Sequence, residues 1–150
     1  LTKEEILQSG LQDQEHYSFE DLRKIIRILR DPENGCPWDK VQTHDSLREC
    51  FQNEVDEVFG GMDRLDRTGD AENLCEELGD VLMHVVLQAV IAEQEGLFTM
   101  DDVIEGVSRK MIRRHPHVFT EKEASDEEGL LRSWNEIKAE EKAEKAKGKL

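Results

Sequence analysis

Two pairs of carboxylates stand at helical spacing in this chain: Glu54 with Glu57, and Glu77 with Asp80. Residues three apart share one side of a helix, so each pair projects its acids together, and two such helices can turn their pairs toward each other. Glu54 falls in the row Leu47, Phe51, Glu54, Val58, at or beside an apolar stripe, while Glu77 and Asp80 flank Val81 and lead on to His84. An unpaired carboxylate so near a core is costly to bury. A cation would resolve the repulsion. Hard oxygen donors in this number suit Mg²⁺ or Mn²⁺ rather than zinc, with substrate phosphates completing an octahedral shell. The chemistry implied is therefore on a phosphate ester or anhydride. In a chain this acidic the same spacings also arise by chance on solvated faces. The second pair counts for more, because it sits in a long apolar helix where exposed faces are scarce. Residue pattern by itself thus points to a helical bundle that holds a divalent metal.

The elements that must position these acids all read as helices. Ser18 is placed to cap a first helix carrying Phe19, Leu22, Ile25, Ile26 and Leu29 at three-to-four spacing. Asp31-Pro32-Glu33-Asn34-Gly35-Cys36-Pro37 stops it and opens a loop. Leu47, Phe51, Val55, Val58 and Met62 mark a second helix; Leu74, Leu78, Val81, Leu82, Val85, Val86, Ala89 and Val90 mark a longer third, with Gly69 and Asp70 between them. Met100 to Ile112 reads as a fourth, with Val103, Ile104, Val107 and Met111 inward and His115-Pro116-His117 at its end. Asp126 to Lys147 is helix-prone but mostly polar beyond Ile137, as a solvated tail or a partner-dependent helix would be. Residues 1–17 are polar and lack a clear period. Sustained period-two alternation and repeats of solenoid length are missing. The expected class is all-α, organised as an N-terminal extension over 1–17, a metal-binding domain over 18–120 and a polar helical tail over 121–150.

Composition narrows the function classes. At 150 residues the chain suits one core. A net charge of −15 with 37% charged residues argues against a nucleic-acid groove and suits a cation site. The longest apolar stretch, around Val81 to Ile91, is interrupted by His84 and Gln88 and is too short to span a bilayer, so no membrane partner is expected. Nor does the N-terminus show a basic region followed by a short apolar run, and the expected location is the cytoplasm. Cys36, Cys50 and Cys75 are odd in number and form no CxxC pair, which points to reduced thiols.

Several segments, taken together and in order, resemble the MazG family of nucleotide pyrophosphohydrolases: Gly35-Cys36-Pro37-Trp38-Asp39-Lys40 with Gln42-Thr43, then the acidic second helix, Glu76-Glu77-Leu78-Gly79-Asp80, and Arg113-Arg114-His115-Pro116-His117-Val118-Phe119. Trp134 with Ile137-Lys138-Ala139 is similar to the family's end segment. The resemblance implies an oligomeric helical bundle of four to five helices, a homodimer or homotetramer. It further implies Mg²⁺-dependent cleavage of nucleoside triphosphates between the α- and β-phosphates, with Mn²⁺ as a substitute, and a house-cleaning role in the nucleotide pool. Carried over position by position, the metal ligands and catalytic acids are Glu54, Glu57, Glu77 and Asp80. Two departures stand out. The family's first adjacent glutamate is Asn53 here, a substrate-binding position, which removes a carboxylate that in relatives would help to bind a second metal or position the attacking water; and Gly60-Gly61 replaces better helix formers, at a cost of roughly 1 kcal/mol each, so that the helix is expected to break or kink.

Lys40, Arg113 and Arg114 are the motif cations that could clamp a phosphate chain, ion pairing with surface acids being their ordinary alternative. Trp38 suits either stacking on a nucleobase or plugging one end of the bundle. His115 and His117 fit a helix end, His84 a hydrogen-bonded core or interface position, and Cys36 a structural one. Rival readings are a dUTPase-like or phosphoribosyl-ATP pyrophosphohydrolase with one strict substrate, and a nucleotide- or protein-binding module weakened by Asn53.

Overall fold

The fold follows from where helix-forming runs are capped and which faces they can bury. It is known from a computed structural model that describes residues 1–123 and 126–148; the tail expected over 121–150 thus includes residues 124, 125, 149 and 150, which lie outside the described set. Among the described residues every regular element is helical, in agreement with the all-α expectation, and there are seven helices where four to five were expected. The two elements not read from sequence are α1 (Lys3–Gln8) and α6 (Pro116–Phe119). Neither buries a residue, so neither leaves an apolar period to read. Instead α1 is closed by a capping box: the Thr2 hydroxyl accepts from the Glu5 amide at 3.1 Å, and the Glu5 carboxylate from the Thr2 amide at 2.7 Å.

The chain divides into two compact units, Leu1–Met100 and Asp101–Leu150. In the first, α2 (Phe19–Leu29) begins at Ser18, whose hydroxyl accepts from the Asp21 amide while Asp21 reciprocates. α3 (Arg48–Thr68) and α4 (Glu72–Gln94) form a helical hairpin, α3 ending at Gly69 with φ +76° and three residues making the turn. The break expected at Gly60-Gly61 does not occur: α3 runs through both. Gly61 is buried where the helices meet, and a Cβ there would lie 2.9 Å from the Leu74 Cα. Close packing of α3 on α4 therefore compensates for the poor helix propensity of that glycine.

α4 is apolar nearly all round in its second half, where Val86, Leu87, Ala89, Val90, Ile91 and Ala92 form the centre of the core with Ile26, Leu47 and Val58. α2 packs on this half and is held by polar contacts at its rim. Arg27 makes a bidentate pair with Glu93 at 2.9 and 3.3 Å. Buried Arg30 donates to the Gln94 side chain at 2.7 Å and to the Asp39 and Gln42 carbonyls at 2.6 and 2.9 Å, which anchors the loop between α2 and α3.

The second unit contains most of α5 (Met100–Arg114), then α6 and α7 (Glu127–Ala146). Asp126 caps α7 by accepting from the Gly129 amide. Buried Glu141 and half-buried Trp134 make part of α7 a packing surface. No helix among the described residues is long and apolar enough to cross a membrane.

Candidate metal and phosphate site

Glu54 on α3 and Glu77 and Asp80 on α4 each offer one carboxylate oxygen within 4.8 Å of the others. The hairpin accounts for this convergence. Glu77 and Asp80 share a side of α4 by their spacing, and the close approach at Gly61 and Leu74 brings the acidic stretch of α3 against it. Glu77 is 8% exposed, and the hydrogen bond it accepts, from the Asn73 amide nitrogen, is long at 3.4 Å. Burial pushes its carboxyl pKa up, and the charges of Glu57, Asp80, Glu76 and Glu54 push it further. Among the described residues no lysine or arginine pairs with this trio. A buried acid raised by burial and by other acids is an arrangement that a divalent cation completes, and an all-oxygen donor set fits Mg²⁺ or Mn²⁺.

Glu57 lies outside the trio, exposed one turn along α3. It lines an open cleft of about 870 Å³ together with Asn53, Gly60, Arg64, Arg67 and Asn73. Asn73 joins the cleft to the trio, since it also donates to Glu77. The structure thus brings Asn53, Glu54, Glu57, Glu77 and Asp80 into one neighbourhood. It adds Asn73, Arg64 and Arg67, which sequence reasoning did not single out. The signal for the arginines was available: positions 53, 57, 60, 64 and 67 alternate steps of four and three, the spacing of one helix face.

The other candidates stand elsewhere. Trp38 is 55% exposed in the loop that Arg30 anchors, and Lys40 donates to the Pro32 carbonyl at 3.2 Å; neither lines the cleft. Arg113 and Arg114 belong to the second unit, where both pair with Glu141, at 3.4 and 2.9 Å. The Arg114 guanidinium also lies over the Trp134 ring, 5.0 Å from its centroid. That pairing holds the Glu141 carboxyl below its usual range, the Arg114 hydrogen bond being the largest cause. The His115 ring nitrogen Nδ1 meets the Met111 carbonyl at 2.6 Å, the helix-end role expected of it. His84 is 4% exposed with its ring 5.2 Å from that of Phe51, a core position, but its Nδ1 has no hydrogen-bond partner. All three cysteines are free thiols.

Comparison with known proteins agrees with the motifs. A family model described as the MazG nucleotide pyrophosphohydrolase domain matches residues 42–119. An uncharacterized Bacillus subtilis protein, YabN, is 50% identical over 127 residues, covering 85% of this chain and 25% of the relative. A nucleoside triphosphate pyrophosphohydrolase of Escherichia coli is 43% identical over 125 residues, 83% of this chain and 46% of the relative. The chain therefore spans between a quarter and about half of the length of these curated relatives. Among solved structures, a crystal structure of a mazG-related protein from Thermotoga maritima superposes with a TM-score of 0.62 at 32% identity, over 80% of this chain and 98% of that one.

Proposed function

The chain belongs to the MazG nucleotide pyrophosphohydrolase family, and from that premise we propose that it hydrolyses nucleoside triphosphates between the α- and β-phosphates with Mg²⁺, releasing monophosphate and pyrophosphate. The observation that carries this reading is the convergence of Glu54, Glu77 and Asp80 around a buried carboxyl whose pKa is pushed up and which no basic side chain among the described residues relieves.

In this proposal Glu54, Glu77 and Asp80 hold the cation. When bound, Mg²⁺ supplies neutralising charge to the phosphate chain and makes water at the site more acidic. Glu57, one of the four acids that the family motif supplies, faces the cleft from outside the trio, and its carboxylate accepts a proton from the attacking water. The water oxygen bonds to phosphorus as the α–β bridge breaks, and pyrophosphate departs. Asn53 lines the substrate path as a hydrogen-bonding amide. Trp38 is exposed in its loop for stacking on the nucleobase, with Lys40 beside it as a cation for the phosphate chain, while Arg113 and Arg114 are engaged with Glu141 in the second unit, the ion-pairing alternative. Canonical or damaged NTPs and dNTPs of the cytoplasmic pool are the substrates, and the role is house-cleaning. A homodimer is the working assembly, supported by Phe59, Met62, Leu78 and Leu82, which leave large apolar side chains exposed on α3 and α4.

Product analysis tests the reaction. With Mg²⁺ and a panel of NTPs and dNTPs, the proposal expects pyrophosphate and no orthophosphate, abolished by Glu54→Gln and by Asp80→Asn. Orthophosphate as the product, or no product from folded protein, contradicts it. Asn53 supports a second reading, a nucleotide-binding module without turnover. That reading expects nucleotide binding and no release, with Asn53→Glu restoring activity.

A further inference from the structure

The cleft beside the carboxylates changes sign along its length. Asn53, Glu57, Gly60, Arg64 and Arg67 all line it and form one stripe of α3. Its acidic end adjoins the trio through Asn73 and Glu77. Its basic end lies ten residues beyond Glu57, about 15 Å along the helix axis. Arg67 leans back along the helix, its Nε on the Asp63 carbonyl, while Arg64 reaches onward to Asp70, and both line the cleft.

Gly60 is the second observation. A Cβ there would meet nothing within 4 Å, and Gly60 is not among the glycines of positive φ. Neither packing nor backbone conformation requires glycine, unlike Gly61 beside it. A bare position in mid-helix is unfavourable in its own right, yet here it keeps the floor of the cleft open between the acids and the arginines. Gly60 thus leaves no side chain on this stripe between Glu57 and the two arginines. Both cations are available to a ligand. Arg64 donates to Asp70 at 3.0 Å in a pair 56% and 34% exposed, and Arg67 donates through Nε to the Asp63 carbonyl at 3.3 Å. Exposed pairs of this kind are weak and exchange readily for a more highly charged partner.

We propose that Arg64 and Arg67 bind the distal phosphates of the triphosphate and hold pyrophosphate as it leaves, with Gly60 providing the clearance. The assignment rests on the pyrophosphohydrolase reading for its substrate and on the cleft for its residues. It makes the site select triphosphates over shorter phosphate chains, and it makes pyrophosphate a product inhibitor.

The test is calorimetric titration of inorganic pyrophosphate into the full chain with Mg²⁺, run beside NTP kinetics. Replacing both arginines, Arg64→Ala with Arg67→Ala, should weaken pyrophosphate binding about tenfold or more, as expected for losing charge-assisted hydrogen bonds, and should raise KM for the triphosphate. Gly60→Leu should block pyrophosphate while leaving the thermal transition no lower, since leucine is the better helix former. Unchanged affinity in folded variants, or no pyrophosphate binding by the parent protein, overturns the assignment. The two readings fail separately. A parent that cleaves NTP normally while the arginine variants bind pyrophosphate as well as it does sinks only this inference. One that binds pyrophosphate through the arginines but cleaves no nucleotide supports the anion site and sinks the reaction.

Discussion

Glu77 shows how a single side chain can cost the fold something and give the site its purpose. It is buried, accepts a long hydrogen bond from Asn73, and is surrounded by acids that raise its pKa. A neutral amide of the same shape removes the desolvation and repulsion of that charge. Glu77→Gln is therefore expected to raise the melting temperature of metal-free protein at neutral pH while weakening Mn²⁺ binding at least about tenfold, as loss of a ligand should. Thermal melts with and without metal check both halves. A variant that melts lower without metal and binds Mn²⁺ normally would make Glu77 a structural residue. The three converging acids were legible in the sequence because helical spacing fixes which residues share a side. Arg30 as the anchor of the loop was not, since its partners lie on α4 and in the loop itself and only tertiary packing brings them together.

At the scale of elements, the two adjacent glycines of α3 separate propensity from packing. Sequence alone charges both with weakening the helix, and α3 nonetheless continues through them. Gly61→Ala would set a methyl group against the Leu74 Cα and should destabilise by about 1–3 kcal/mol, the range for overpacking. Gly60→Ala meets open space and should stabilise by roughly 0.5–1 kcal/mol from helix propensity. Urea unfolding of the two variants checks the opposite signs; equal effects would mean that the close approach of α3 and α4 is not what retains Gly61. The same contrast explains which elements could be read in advance. α2, α3, α4 and α5 announce themselves by apolar periods and caps, whereas α1 and α6 bury nothing and depend on local hydrogen bonds.

Across the whole molecule, the pH response should differ between the two units. In the second, Glu141 carries a lowered pKa, principally through its hydrogen bond with Arg114. A carboxyl with a lowered folded-state pKa contributes stability that is present above its unfolded pKa and is lost as pH falls through the folded value. The second unit should therefore weaken on acidification below the ordinary carboxylate range, and Glu141→Gln should remove that dependence at the expense of stability at neutral pH. For Glu77 the sign is reversed. Its raised pKa means that the metal-free first unit loses stability as pH rises from the unfolded value through the folded one, and a bound divalent cation should cancel the loss. Hydrogen exchange resolved by helix across a pH series distinguishes these opposite slopes. Parallel slopes in α4 and α7 would contradict them.

Everything proposed for the reaction depends on Glu54, Glu77 and Asp80 holding one divalent cation between them. That is tested most directly by titrating Mn²⁺ into the full chain and following the loss of the free-ion magnetic resonance signal, with Glu54→Gln and Asp80→Asn in parallel. A shared site requires saturable binding by the parent protein and affinity weaker by about tenfold or more in each variant, at unchanged helical content. Equal affinity in all three would contradict it, whatever the protein does to nucleotides.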